Sequence, residues 1–327
     1  MKLLRFILFT LAWVTAILCA AWAIGALYFD FPKANLFAAI AFLIALVASV
    51  ISVRGKLLKL ATLFAAFAVV ALWWLTLKPG NDRAWQPDVA QTAWAEINGD
   101  EITIHNVRNC DYRTQIDFTA HWETRTVRLS HITGMDVAIN YWGSPWIAHP
   151  IISFQFSDGL PLCFSIETRK TTGQQYSTLK GFYRQYTLIY VVADERDCIR
   201  LRTNYRHEDV YLYHTLASPA QAQERFREYA KTLNALHQSP RWYNAVTSNC
   251  TTSIRTQRAV KLRAPWDWRI LLNGKMDEML YQDHAIATGG LSFAQLKERS
   301  LINERAEAAD QNPDFSRVIR EALPRSD

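Results

Sequence analysis

The stretch Phe6–Phe29, FILFTLAWVTAILCAAWAIGALYF, runs 24 residues without a charged side chain. Two more charge-free runs follow at once, Leu36–Val53 and Leu60–Leu77, each of 18 residues. A helix needs about 20 apolar residues to cross a bilayer core, where every backbone polar group must be bonded internally. Residues 1–80 are therefore expected to be a membrane anchor of three transmembrane helices. Lys2 and Arg5 before a run that ends in small residues also fit a cleaved signal peptide, but the two runs behind it favour spans. The loops set the orientation. Lys2 and Arg5 precede the first run and Arg54, Lys56 and Lys59 lie before the third, whereas the first loop holds Asp30 and Lys33. The positive-inside rule puts the N-terminus and second loop in the cytoplasm. An odd number of spans then carries everything after Lys78 to the outer face of the membrane.

Beyond the turn-forming linker Lys78-Pro79-Gly80-Asn81-Asp82 the composition becomes that of a water-exposed domain. Residues 84–300 are long enough for one real core, and residues 301–327 are alanine-rich and charged, reading as a helix that ends in a loose tail. The net charge is +6 and the isoelectric point near 9.0. A basic domain tied to a bilayer is either drawn to anionic headgroups or simply well solvated. No repeat, low-complexity tract or nucleic-acid motif is present, so nucleic acid is not an expected partner.

The outer domain begins in strands. Ile97-Asn98-Gly99-Asp100-Glu101-Ile102 reads as a hairpin on an Asn-Gly turn, and Ile151–Phe156 with Leu162–Thr168 as another around Ser157-Asp158-Gly159. Tyr186–Ala193, Ile199–Thr203 and Val210–His214 read as further strands. Gln221–His237 carries Phe226, Tyr229, Leu233 and Leu236 at helical spacing. A second helix is expected from Cys250 toward Lys261. Strands first and helices later indicate an α+β fold with an antiparallel sheet.

Cys250 stands behind Ser248 and Asn249, both good helix N-caps. Unpaired N–H groups and the positive helix end lower a thiol pKa there and make the sulfur a nucleophile. A buried, inert cysteine is the alternative. A nucleophile needs a base and the base an orienter. Among eight histidines, His149 ends the Gly-, Pro- and Trp-punctuated segment Trp142-Gly143-Ser144-Pro145-Trp146-Ile147-Ala148-His149; His214 is its substitute. With the turn at Asp158-Gly159, Ile151 or its neighbour faces Glu167, which in one register shares a face with His149 and fixes its tautomer. Glu167 paired with Arg169 or Lys170 at the surface is the other reading. Cys110, Cys163 and Cys198 lack zinc-site spacing and leave room for one disulfide in an oxidising compartment. Arg108, Asp111 and Arg113 read as a structural ion-pair network.

Five ordered blocks, Val107–Arg113, Tyr141–His149, Phe164–Lys170, Val191–Asp197 and Trp242–Asn244 through Asn249–Thr252, resemble the Lnb N-terminal periplasmic domain family. The resemblance covers about Glu96–Ser300. A histidine strand followed by Asn-Cys opening a helix is also similar, on fewer residues, to the permuted NlpC-type papain-like fold. The resemblance implies a thiol-dependent acyltransferase with Cys250 as nucleophile and His149 as base. Lipoprotein N-acylation, with phospholipid or a lipoprotein diacylglyceryl ester as donor, is the implied reaction. One feature departs from the family pattern: the name-giving members carry a membrane region after the periplasmic domain, whereas here the apolar runs precede it.

In such a reaction Asn249, Ser144 and Tyr141 are candidates to stabilise the oxyanion, and the chemistry calls for no cofactor or metal. Membrane phospholipid and lipoproteins are the expected partners. Two other readings stay open: a cell-envelope cysteine hydrolase cutting peptidoglycan peptides or lipid esters, and a membrane-anchored binding module without catalysis.

Overall fold

The three charge-free runs form α1 (Lys2–Asp30), α2 (Asn35–Ser52) and α3 (Lys56–Thr76) in the computed structural model, which describes residues 1–257, 263 and 265–324. Each helix is long and apolar enough to cross a membrane. They belong to a first unit, Met1–Asn81 with Gln175–Thr187 and Arg241–Ala245. Ala16, Ala20 and Ala23 put small side chains on the buried face of α1, so α2 and α3 approach its backbone closely. Large side chains such as Leu8, Leu18 and Phe37 point outward, as lipid-facing positions do. The carboxylate of Asp30, ending α1, accepts from Trp74 Nε1 (2.7 Å), Arg184 N (3.1 Å) and Gln185 Nε2 (2.7 Å). Gly25 leaves the space that the Tyr183 ring enters.

The second unit, Asp82–Gln174 with Leu188–Pro240 and Val246–Asp327, holds the sheet. Its strands are β1 (Trp94–Asn98), β2 (Glu101–Arg108), β3 (Asp111–Tyr112), β4 (Phe118–Thr119), β5 (Trp122–Arg128), β6 (Ile132–Tyr141), β7 (Ala148–Phe156), β8 (Leu162–Arg169), β9 (Thr187–Asp194) and β10 (Asp209–His214). The main sheet runs β1-β2-β9-β8-β7-β6-β10, with β5 also on β2, while β3 and β4 pair separately. Helices α4 (Glu195–Arg200), α5 (Pro219–Gln238) and α6 (Cys250–Thr256) follow, then α7 (Met276–Gln282), α8 (Phe293–Ser300), α9 (Asn303–Ala308) and α10 (Phe315–Val318). The domain is α+β, as expected.

The β7–β8 hairpin positions the site. Ile151 pairs with Ser165 and Ser153 with Cys163. Alternation then sets His149, Ile151, Ser153, Cys163, Ser165 and Glu167 on one face. The register differs by two residues from one pairing Ile151 with Glu167, and a two-residue shift preserves the face. On the opposite face, Phe154 and Phe164 meet Phe226 and Tyr229 of α5, with Phe154–Phe226 and Phe164–Tyr229 ring centroids both 5.0 Å apart. These aromatic rings bury large apolar area and lock α5 to the sheet.

Several expectations are corrected. Ile199–Thr203 is not a strand: the Asp194 carboxylate caps α4 at Arg196 N (2.8 Å), and α4 continues through a π turn, Leu201–Tyr205. Capping outweighs the short apolar alternation. The first hairpin turns at Gly99-Asp100 rather than Asn98-Gly99, because Asn98 pairs with Glu101. The sheet is not wholly antiparallel, since β2 and β9 meet in parallel at Arg108 and Ala193. The segment after Ser300 is not loose: Ile302, Ala306, Phe315 and Ile319 are fully buried in the core beneath the His149 face. Lys261, the expected end of the cysteine helix, lies outside the described residues.

Candidate active site

Cys250 is the first residue of α6, which packs on β7 and β8. The Asn249 side chain accepts from Thr252 N (2.8 Å) while Thr252 Oγ1 accepts from Asn249 N (2.9 Å), a closed capping box that fixes where the helix begins. Cys250 is 8 % exposed, and its sulfur receives a hydrogen bond from Asn273 Nδ2 (3.4 Å) and lies 3.7 Å from Thr251 Oγ1. The His149 imidazole is near enough to interact with it electrostatically.

The imidazole orientation follows from its other partners. Ser165 Oγ donates its one hydrogen to Glu167 Oε1 (2.7 Å) and stands 2.7 Å from His149 Nε2, so it accepts from an Nε2–H there. Glu167 Oε1 is itself 3.3 Å from Nε2. A proton on Nε2 leaves the lone pair of the neutral ring on Nδ1. Behind Glu167, Arg202 Nη2 donates to Oε1 (2.7 Å), and Glu208 holds Arg202 on one side and Asn140 Nδ2 (2.6 Å) on the other. Asn140 is also the β6 partner of His149 across the strand. A continuous polar chain thus runs from His149 to Asn140.

Electrostatics follow this geometry. Burial disfavours the imidazolium, but Glu167 and the Cys250 sulfur outweigh it and push His149 up to about 10. Burial works against the thiolate too, yet the hydrogen bond and charge of His149, with the Thr251 hydroxyl and N–H, pull Cys250 below its ordinary value. Burial opposes ionised Glu167, and His149 with Arg202 holds it well below the usual carboxylate range. Both shifts run toward a thiolate beside an imidazolium.

Of the residues singled out in the sequence, Cys250, His149 and Glu167 are brought together. The Asn249 side-chain oxygen is engaged in the cap, where it accepts from Thr252 N. Ser144 Oγ accepts from Trp146 N (3.2 Å) within its own turn, and Tyr141 Oη donates to Gly274 O (3.0 Å). Neither is aimed at the thiol. Glu167 is paired with Arg202 rather than Arg169, whose guanidinium reaches Val89 O and Ala90 O. His214 pairs with Asp136 elsewhere on the sheet (2.7 Å). Arg108 is buried against Asp197, whereas Asp111 and Arg113 are exposed. The five cysteines are free, and Cys163 and Cys198 are both buried.

Three residues escaped the sequence reading. Ser165 and Arg202 complete the support of His149; alternation along β8 pointed to Ser165, but nothing local marked Arg202. Asn273 is the third. Its Oδ1 accepts from Ala148 N (2.9 Å) and its Nδ2 donates to Thr251 Oγ1 (3.0 Å) and to the sulfur. Gly274 beside it donates to Trp146 O (3.0 Å), and any Cβ there would run into the Pro145–Ile147 backbone. The only sequence trace of this contact is the Asn-Gly pair. Among the described residues no group of three or more His, Cys, Asp or Glu is arranged to hold a metal ion.

Comparison with known proteins gives one family: the model described as Lnb N-terminal periplasmic domain matches residues 118–274. That span contains β6, β7, β8, Cys250 and Asn273. No curated protein and no solved structure matches the chain. A periplasmic domain family behind three apolar helices fits a membrane protein whose C-terminal domain is periplasmic.

Proposed function

From the match of residues 118–274 to the Lnb N-terminal periplasmic domain family, we propose that this chain is a membrane-anchored, cysteine-dependent acyltransferase. It acts on lipid or lipoprotein substrates at the outer face of the bacterial inner membrane, which its three helices span. The observation that carries the reading is the Cys250 thiol held between His149 and Asn273, with Glu167 fixing the other side of the imidazole.

The Cys250 thiolate attacks the carbonyl carbon of a lipid ester. The carbonyl oxygen becomes an oxyanion, met by Asn273 Nδ2–H and by the Thr251 N–H at the start of α6. As the intermediate collapses, the C–O bond breaks and imidazolium Nδ1–H protonates the leaving alcohol. The products are an acyl-thioester on Cys250 and neutral His149; of the two oxyanion donors, Asn273 Nδ2–H is the one hydrogen-bonded to the sulfur in the resting site. An acceptor amine, in the family-based reading the α-amine of a lipoprotein, then attacks the thioester. His149 takes its proton, the C–S bond breaks, and an amide leaves with the thiolate–imidazolium pair restored. A thioester suits this second step because thiolate is a good leaving group toward amines.

The test uses the full chain in phospholipid vesicles with a diacylated lipoprotein acceptor. Wild type is expected to give N-acylated acceptor and a hydroxylamine-labile acyl adduct on the Cys250 peptide, and Cys250→Ala and Cys250→Ser neither. Acylation surviving in both variants refutes the proposal. Release of free fatty acid, or cleavage of peptidoglycan fragments in a parallel incubation, with no acyl transfer would make the enzyme a hydrolase.

A further inference from the structure

In the unit that carries Cys250, large apolar side chains left in water concentrate along two abutting segments. One is the β6–β7 loop with Trp142, Trp146 and Ile147, which are 43, 49 and 45 % exposed. The other, leading into Asn273, carries Trp266 and Trp268 (59 and 53 % exposed) and then Leu271 and Leu272. The segments are joined by Gly274 N to Trp146 O and by Asn273 Oδ1 to Ala148 N. The same two joints carry His149 and Asn273 to the thiol, so the apolar rim belongs to the mouth of the Cys250 site. Monomeric soluble domains seldom leave such a patch open unless something covers it.

The side chains identify the cover. Tryptophan, with an apolar body and one N–H, favours the headgroup layer of a bilayer over both water and hydrocarbon. Cations are set among the rings: Arg255 Cζ is 5.6 Å from the Trp266 centroid and Lys275 Nζ 5.3 Å from that of Trp146. Asp267, the acid within the second segment, is bonded to Arg269 (2.7 Å). Indoles interleaved with cations complement a surface of phosphate groups above acyl chains. The chain supplies that surface itself, because its three apolar helices keep this domain permanently tethered to a bilayer.

We propose that the rim formed by Trp142, Trp146, Trp266 and Trp268 with Leu271 and Leu272 seats in the headgroup layer of a phospholipid membrane, opening the Cys250 site directly onto lipid. The seating rests on the exposed rim alone; its use, admitting an ester from the membrane without passage through water, rests on the acyl-transfer reading.

The full chain is reconstituted in vesicles of zwitterionic phospholipid, with and without about one third anionic phospholipid, doped with a phospholipid carrying a photoactivatable diazirine near the glycerol. Adduct sites are mapped by mass spectrometry, with α1–α3 as internal control. Adducts are expected on the peptides covering 142–147 and 265–275, more abundant with anionic lipid. The triple variant Trp146→Ser, Trp266→Ser, Trp268→Ser should lower them at least fivefold while α1–α3 label as before. Labelling of α1–α3 without the rim overturns the proposal, as does a cross-link joining the rims of two copies in place of lipid adducts. A second readout separates this from failure of the chemistry. The triple variant should lose turnover of vesicle lipid but keep that of a water-soluble short-chain ester. If wild type turns over neither ester yet the rim labels, the seating stands and the acyl-transfer reading falls.

Discussion

Two histidine–carboxylate–arginine assemblies sit on the same face of one sheet. In the first, His149 meets Glu167, and Glu167 meets Arg202 (2.7 Å). In the second, His214 meets Asp136 (2.7 Å), and Arg320 bridges Asp136 (2.9 Å) and Glu195 (2.5 Å), with Ser153 completing it. The residue types are nearly the same, but the surroundings differ. His149 is buried and lies near the Cys250 thiol. His214 is partly exposed, and its carboxylate is clamped by Arg320. The second assembly ties the segment after Ser300 to β6 and α4, as a buried ion pair ties elements together. A charge relay without a nucleophile is a brace; under the proposed function, the thiol at the start of α6 turns the first one toward chemistry.

The sharpest way to break this comparison is at the sulfur. Cys250→Ala is expected to lower acyl transfer by on the order of a thousand-fold or more, with an unchanged circular dichroism spectrum. Loss of less than about tenfold would make the first assembly a brace as well.

Glu167→Gln should act next most strongly and through pH. In wild type, activity is expected to fall on the acid side as the thiolate protonates, below the ordinary thiol value, and on the alkaline side near pH 10 as the imidazolium gives up its proton. Without the carboxylate the imidazolium loses its main support. The alkaline limb should then move down by about 1–3 pH units and the acid limb move up. A pH–rate profile of unchanged width would remove Glu167 from the account.

Arg320→Ala tests the other assembly. It leaves Glu195 and Asp136 uncompensated, so unfolding in denaturant should show a loss of about 3–5 kcal/mol, while Cys250 alkylation at neutral pH stays within about twofold of wild type. His214→Gln should give the smallest effect, a stability loss of about 1 kcal/mol with activity unchanged. Activity falling more than stability in either variant would mean the two assemblies are coupled.

What could be read in the sequence tracks the range of the signal. The helices α1–α3, the β7–β8 hairpin and the α5 core stripe rest on local periodicity, which burial imposes directly on residue order. Cys250 showed itself by its cap and His149 by its punctuated segment. Arg202 and Asn273 gave no such sign, because each reaches the site through long-range contacts: Arg202 lies 35 residues from Glu167, and Asn273 23 from Cys250. The alternation in Ile199–Thr203 misled, since Asp194 capping decides that segment as a helix. The charged composition after Ser300 hid Phe315 and Ile319, two apolar residues buried among many charges.

The central claim is that Cys250 is a thiolate at neutral pH because His149 makes it one. The direct measurement is the rate of Cys250 alkylation by iodoacetamide between pH 5 and 10, followed on its own peptide in the full chain. The account predicts a rate already near its plateau at neutral pH, with His149→Gln shifting the profile to that of an ordinary thiol near 8.5. An ordinary profile in wild type, or one indifferent to His149→Gln, would contradict it.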